Sequence, residues 1–231
     1  GCERTHVGRP RQRHDRSGEK RDHPAIVAHA PVRIEAMQIQ GAVKPSDGEP
    51  RRKMILLHGL GSNEEDMYGL ACELDPTLEV ICLRAPYEYG PGFAWFNIEW
   101  SEESGISIDA EQYWQSVEIL AEILPQIGSN LIVGGFSQGA MLTAGLLARH
   151  PELVGDAVLL SGRSPGEGPG AFAGRVFQAH GIMDDVIPLR DGEDLRRSMT
   201  PLGDRLEFHA YPMGHTVCAE EIEDLNAWLA I

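Results

Sequence analysis

The stretch Leu131-Ile-Val-Gly-Gly-Phe-Ser137-Gln-Gly-Ala140 decides the fold of this chain. Its apolar start predicts a strand over Leu131–Val133, and the pattern after it predicts a helix from Ser137 to His150. Between them, Gly135 to Gly139 match G-x-S-x-G, a sharp strand-to-helix turn in which the glycines leave room beside the serine. A helix N-terminus also favours negative charge that develops next to it. This context predicts that Ser137 is a nucleophile, although an ordinary strand–helix turn could carry the same five letters.

Short apolar runs alternate with helical patterns on both sides of this stretch. Such alternation is typical of βαβ units, which build a parallel sheet covered by helices on both faces. Right-handed crossovers then give a doubly wound α/β fold with a mostly parallel sheet, whose ligands bind at the carboxyl ends of the strands. The other predicted elements are an edge strand at Val32–Val43, strands at Met54–Leu57, Val80–Leu83, Ala157–Leu160, Val176–Ala179 and Leu206–Ala210, and helices at Glu64–Leu74, Asp109–Ile127, Asp191–Met199 and Ala219–Ala230.

The 231 residues, 42% of them hydrophobic, suit one domain with a tail. Residues 1–30 are polar and without apolar period, so we expect a disordered basic extension before a folded domain over residues 31–231. The net charge is -15; residues 1–23 hold seven Lys or Arg and four Asp or Glu, which leaves -18 on the remainder. A body this acidic argues against nucleic acid or anionic membrane as the main partner, although the tail could act as a basic arm.

The cysteines and the hydropathy restrict the setting of the protein. Four cysteines without C-x-x-C spacing favour neither a disulfide framework nor a metal site, and a reducing cytoplasm is the simplest location. No apolar run approaches the roughly 18 residues of a membrane helix, so we expect no stable membrane insertion. The first twenty-odd residues also lack the apolar centre of a secretory signal.

A serine nucleophile needs a base, and the chain has nine histidines as candidates. His215 stands on a loop between the last strand and the last helix, where a doubly wound sheet can bring it to the serine. The others are explained differently: His6, His14, His23 and His29 lie in the tail, His150 ends a helix, His58 and His180 end strands as structural groups near the site, and His209 lies inside a strand.

The histidine in turn needs an orienting acid, and the serine needs donors for an oxyanion. Asp184 and Asp185 follow the strand Val176–Ala179, and an acid between serine and histidine in the chain is the order used by hydrolases with a G-x-S-x-G elbow. The expected donors are the backbone N–H groups of Gln138 and of Leu60, which follows an early strand. The alternative for the glycines around Leu60 is a tight turn and nothing more.

Taken in order, these motifs resemble the phospholipase/carboxylesterase family of small α/β hydrolases. The resemblance runs from about residue 53 to 231 and implies a minimal α/β-hydrolase fold without a large cap domain, acting on esters or thioesters without a cofactor or metal. It also implies that the acid is Asp184, four residues after the histidine of His-Gly. The motifs are Leu57-His-Gly-Leu-Gly-Ser62, Arg84-Ala-Pro86, Ala94-Trp-Phe96, Gly135-Phe-Ser-Gln-Gly-Ala140, His180-Gly…Asp184…Pro188 and Gly214-His215.

The segment Tyr87–Ile108 is too long for a plain connection and is rich in aromatic residues. We expect it to fold over the strand ends as a small lid whose aromatic residues, Trp95 and Phe96 foremost, wall an acyl pocket together with Leu60 and Met141. In the alternative interpretation, the two rings anchor the segment to the core. The segment Ser164–Ala171, rich in glycine and proline, receives no role.

The function predicted from these residues is a serine carboxylesterase that hydrolyses short- to medium-chain esters through an acyl-enzyme on Ser137. An acyl-protein or acyl-CoA thioesterase and a lysophospholipase are the alternative enzymes. A non-catalytic, ligand-binding hydrolase-like protein is the alternative outside enzymes, and the complete Ser, Asp and His set argues against it. The expected partner is a small-molecule ester or thioester, with a homodimer left open.

Overall fold

A computed structural model describes residues 39–101 and 105–231 of the chain. The predicted extension over residues 1–30, the domain boundary after it and the start of the predicted edge strand lie outside these residues. The strands are β1 (Gly41–Lys44), β2 (Arg52–Leu57), β3 (Leu78–Leu83), β4 (Tyr87–Tyr89), β5 (Gly92–Ala94), β6 (Ile98–Ser101), β7 (Gly105–Ile108), β8 (Leu131–Phe136), β9 (Val154–Leu160), β10 (Val176–Gly181) and β11 (Leu206–Tyr211). The α-helices are α1 (Glu64–Ala71), α2 (Ala110–Ile127), α3 (Gln138–Arg149), α4 (Leu189–Ser198) and α5 (Ala219–Leu229), with 3-10 helices at Pro151–Leu153 and Thr200–Arg205.

Seven strands form the central sheet in the order β1-β3-β2-β8-β9-β10-β11. All neighbours pair in parallel except β1, which runs antiparallel to β3 at one edge. After β2, the chain adds β3 on one side of that strand and then β8 to β11 on the other side. The sheet therefore grows in both directions from β2. The predicted fold class, a doubly wound and mostly parallel α/β sheet, is confirmed.

Helices cover both faces of the sheet, which explains the continuous apolar runs of the inner strands. In β2, Ile55 and Leu57 face a core that includes α2 and α3 side chains, whereas Met54 and Leu56 face a second core with side chains of α1 and α5. Successive side chains of a strand point to opposite faces, so a strand in the middle of the sheet must be apolar throughout.

The segment between β3 and α2 folds into two hairpins, β4–β5 and β6–β7. The first hairpin is tied to the loop after β2, because Phe93 N–H donates to the Ser62 carbonyl at 2.9 Å and Gly61 N–H donates to the Phe93 carbonyl at 2.8 Å. The segment therefore lies beside the carboxyl end of β2. In its described residues, this segment consists of two short hairpins and does not form a large cap domain.

Candidate active site

The turn between β8 and α3 holds Ser137 in a backbone conformation that side chains rarely adopt, with φ 56° and ψ -113°. Glycines make the turn feasible, because the chain crosses its neighbours closely. A Cβ atom on Gly139 would lie 2.1 Å from the Leu57 carbonyl oxygen, and one on Gly135 would lie 2.4 Å from the Gly139 carbonyl carbon. The predicted elbow is thus present, with Ser137 8% exposed at its tip.

His215 and Asp184 come together beside this turn. The His215 Nδ1 atom lies 2.7 Å from Asp184 Oδ2, and the histidine ring packs on Phe136 with centroids 4.7 Å apart. Since an ionised carboxylate can only accept hydrogen bonds, Nδ1 carries the proton and Nε2 is left as an acceptor. The loop after β11 delivers the histidine, and the loop after β10 delivers the acid.

Asp184, and not Asp185, is the acid that faces His215. Its Oδ1 atom accepts backbone N–H groups from Val186 at 3.0 Å and from Ile187 at 2.8 Å, so the carboxylate is held at both oxygens. Asp184 is buried, whereas Asp185 is exposed. The buried His180 ring contacts this loop. Its Nε2 atom lies 2.8 Å from the Ile187 carbonyl oxygen and 3.6 Å from Asp184 Oδ2.

The loop that carries Leu60 is fixed by His58. The His58 Nε2 atom accepts the Ala85 N–H at 3.0 Å, so Nδ1 must be the protonated nitrogen that donates to the Gly59 carbonyl at 2.7 Å. Burial lowers the pKa of His58, which keeps the ring neutral and suits this pattern. The sequence-based interpretation of His58 as a structural group near the site agrees with these contacts.

The two residues predicted to supply oxyanion donors follow neighbouring parts of the fold. Leu60 follows β2, Gln138 begins α3, and β2 and β8 are neighbours in the sheet. The Ser137 side chain makes no capping hydrogen bond to the first N–H groups of α3. The buried side chain of Gln138 makes separate contacts, since it accepts the Trp95 N–H at 3.0 Å and donates to the Phe96 carbonyl at 2.8 Å.

A cavity of about 570 Å³ opens at the carboxyl ends of the strands. It holds Ser137 and His215, and its wall includes the predicted pocket residue Met141. Most of the remaining wall is apolar. The other described residues that line it are Gly59, Leu60, Ser62, Met67, Leu70, Tyr89, Ile98, Phe136, Arg163, Val186, Ile187, Thr216 and Val217.

Trp95 and Phe96 do not line this cavity, contrary to the prediction. Both side chains are fully buried in the core, where Phe96 packs edge-on against Tyr113 with centroids 5.2 Å apart. The cause is the Gln138 clamp on their backbone, together with the hydrogen bond from Trp95 Nε1 to the His58 carbonyl at 3.0 Å. The rings anchor the segment, as the alternative interpretation had it, and Tyr89 and Ile98 reach the cavity instead.

Arg163 and Val186 line the cavity but were not predicted from the sequence. Tyr89 belongs to the aromatic segment that was expected to wall the pocket, although Trp95 and Phe96 were the residues favoured there. Arg163 follows β9 directly, and its place after a strand of a parallel sheet was the available signal. In the described part of the chain, no group of three or more His, Cys, Asp or Glu side chains could hold a metal ion.

The sheet, the elbow after β8 and the cavity at the strand ends define the class: this is an α/β hydrolase. The model of the phospholipase/carboxylesterase family matches residues 39–231. The chain therefore belongs to that family and is an ester hydrolase, as the resemblance implied. None of the helices seen in the structure is long and apolar enough to cross a lipid bilayer.

Individual relatives agree with this assignment. Acyl-protein thioesterase 1 of Eremothecium gossypii is 27% identical over an alignment of 235 positions, which covers 87% of this chain and 93% of that protein. The crystal structure of esterase PE8 superposes with a TM-score of 0.74 and 25% identity, covering 83% of this chain and 98% of that one. The Bacillus cereus carboxylesterase, at 23% identity and a TM-score of 0.73, shows the same fold over 85% of this chain and 95% of its own.

Proposed function

We propose that the protein is a serine carboxylesterase that hydrolyses short- to medium-chain carboxylic esters through an acyl-enzyme on Ser137. The observation that carries this proposal is the His215–Asp184 pair, joined at 2.7 Å, whose histidine lines the cavity that also holds the elbow serine. A strained elbow persists only where the surrounding fold enforces it, and such strain is concentrated at functional sites.

In the first half of the reaction, Ser137 Oγ attacks the carbonyl carbon of the ester while His215 Nε2 takes its proton. Asp184 holds the imidazole in the required tautomer and stabilises the imidazolium. The negative charge on the former carbonyl oxygen is stabilised by the N–H groups of Leu60 and Gln138. Collapse of the tetrahedral intermediate breaks the ester C–O bond, and the alcohol leaves with the proton from His215.

In the second half, a water molecule replaces the alcohol. His215 Nε2 removes a proton from the water as its oxygen attacks the acyl carbon, and the same two N–H groups stabilise the second oxyanion. The proton then returns to Ser137 Oγ as the bond to the acyl group breaks, which releases the carboxylic acid.

The cavity supports a preference for short to medium acyl chains. Its apolar wall rewards each buried methylene by about 0.8 kcal/mol, but only while unfilled space remains. Met141 is placed to limit that space next to the elbow. We expect Met141→Ala to shift the preferred acyl length upward, measured as kcat/KM on p-nitrophenyl esters from acetate to dodecanoate; parallel length profiles would assign Met141 a packing role only.

A thioesterase is the second candidate, because acyl-protein thioesterases are among the relatives that align over most of the chain. The proposed chemistry transfers an acyl group from sulfur as readily as from oxygen, so the triad does not decide between them. The comparison that does is kcat/KM for butyryl and palmitoyl groups, each offered as an oxygen ester and as a thioester. The family description also names phospholipases, so a lysophospholipase is a further candidate, and an assay of fatty acid release from lysophosphatidylcholine tests it.

The central test is Ser137→Ala. We expect a folded protein whose ester hydrolysis falls by several orders of magnitude, with loss of fluorophosphonate labelling and of the initial burst on an activated ester. Substantial turnover in a clean Ser137→Ala preparation would remove the proposed mechanism. Absence of both turnover and labelling in the wild type would favour a ligand-binding protein instead.

The proposal also covers the cellular location of the enzyme, its partner and its oligomeric state. Cys72, Cys82 and Cys218 are free thiols, which suits a reducing cytoplasm. The proposed partner is the small ester or thioester itself, and a homodimer is tested by the mass of the protein in solution.

A further inference from the structure

Arg163 brings a permanent positive charge to the wall of the cavity that holds Ser137. Among the described residues that line the cavity, Arg163 is the only arginine or lysine, and none of these residues is an aspartate or glutamate. The rest of the wall is mostly apolar, with aliphatic, methionine and aromatic side chains. The proposed hydrolysis uses no cation, so the place of this guanidinium in the wall points to a part in substrate binding.

The turn after β9 fixes Arg163 beside the elbow. Ser137 N–H donates to the Leu160 carbonyl at 2.9 Å, which ties the end of β9 to the serine. Ser161 then adopts a left-handed φ of 49°, and its buried hydroxyl has no hydrogen-bond partner among the described residues. A Cβ atom on Gly162 would lie 2.7 Å from Ala140 Cβ, so the turn packs directly against α3. Arg163 is the next residue.

The strand order sets the side from which Arg163 approaches. Because β8 lies between β2 and β9, Ser137 has Leu60 on one side and Arg163 on the other. An ester whose carbonyl oxygen points to the Leu60 and Gln138 N–H groups occupies the same cavity as the Arg163 side chain, which lies on the β9 side of Ser137.

We propose that Arg163 binds an anionic oxygen group of the substrate, a carboxylate or a phosphate, and so makes the site selective for esters that carry one. This inference rests on the proposed function and names a substrate class for it. A guanidinium has five N–H donors, enough to bind such a group in a bidentate way and to keep other contacts. The net charge of -18 on residues 24–231 opposes anions at long range, so recognition depends on this contact inside the cavity.

The experiment compares matched esters that differ in one anionic group. On the acyl side, p-nitrophenyl butyrate is paired with p-nitrophenyl hemisuccinate. On the alcohol side, phenyl butyrate is paired with the butyrate esters of 4-hydroxybenzoate and 4-hydroxyphenyl phosphate. The enzymes are wild type, Arg163→Gln and Arg163→Lys, with Arg190→Gln as control, since Arg190 is an exposed arginine outside the cavity and gives the same change in net charge.

We expect Arg163→Gln to lower kcat/KM about 10- to 100-fold for at least one anionic ester, and less than about threefold for its neutral partner. Arg163→Lys should retain part of the preference, and Arg190→Gln all of it. The pair that responds identifies the acyl or the alcohol side, and the carboxylate and phosphate arms identify the group.

Two results would overturn the inference: an unchanged ratio of anionic to neutral rates in Arg163→Gln, or an equal fall of both rates with a lower melting temperature. The second result would mean that Arg163 only supports the loop. If the wild type hydrolyses none of these esters, neutral or anionic, the proposed function fails first, which the Ser137→Ala labelling experiment reports separately.

Discussion

Glu221 is a fully buried carboxyl group in the first turn of α5, six residues after His215. It lies against the Cys218 N–H at the start of the helix, but neither carboxylate oxygen closes a hydrogen bond of ordinary geometry with a described residue. Burial raises its pKa to about 7. Tyr211 and Cys218 face the group, and burial raises the pKa of each, so both stay neutral while Glu221 titrates.

Glu221 should therefore make stability depend on pH with a known sign. The pKa of about 7 in the fold lies above the ordinary 4.5, so the folded protein holds this proton more tightly than the unfolded chain. The contribution is fully present below pH 4.5 and is lost as the pH rises through 7. Linkage puts the loss between pH 5 and 8.5 at about 2.5 kcal/mol.

Glu221→Gln keeps the shape of the side chain and removes its titration. We expect the free energy of unfolding of the variant, relative to wild type, to grow by about 2.5 kcal/mol from pH 5 to pH 8.5, or about 5–10 °C in melting temperature. Urea unfolding at several pH values measures this difference, and constant changes in packing cancel within it. Glu220→Gln, at the exposed neighbouring position, is the control and should show no such trend. A gap between Glu221→Gln and wild type that stays constant with pH would refute the reasoning.

Three further predictions concern the site and its support. Asp184→Asn should lower kcat by about 10⁴-fold while Asp185→Asn stays near wild type, because only Asp184 contacts the histidine; reversed ranks in an ester assay would contradict the geometry. Gly139→Ala should lower the free energy of unfolding by about 1–3 kcal/mol or more in urea titrations, since its Cβ would meet the Leu57 carbonyl at 2.1 Å. Deleting residues 1–30 should leave kcat/KM unchanged and the melting temperature within about 5 °C, and a larger fall would show that the segment packs on the domain.

The central sheet could be predicted because a strand buried on both faces leaves a local trace, a continuous apolar run such as Met54–Leu57. In the structure, this strand begins two residues earlier, at Arg52. Its first two residues are half-buried and charged, and their backbones can still form the hydrogen bonds of the sheet. The hairpins β4–β5 and β6–β7 left no such trace. Their strands have three or four residues each, and the first depends on pairing with the loop at Ser62, some thirty residues earlier in the chain.

The positions of Ser137, Asp184 and His215 could be predicted because each follows a strand of one parallel sheet, and those strand ends meet at one edge. Arg163 obeys the same rule but was passed over beside a segment rich in glycine and proline. The buried position of Glu221 at the start of α5 was not predicted, and the reason is chemical. The capping-box pattern expects Ser or Thr three residues before the acid, and here that position is Cys218.

Gln138 shows why the surroundings of the site could not be predicted with the same ease. In the sequence, this residue stands out only for its backbone N–H, which any residue after the nucleophile would provide. The structure gives the side chain its own purpose, since it clamps the backbone of Trp95 and Phe96 from more than forty residues away. That clamp turns both rings into the core and leaves the cavity wall to Tyr89 and Ile98. The chemistry at the elbow thus fixes a serine and two glycines, whereas the shape of the pocket depends on a buried amide that no local pattern reveals.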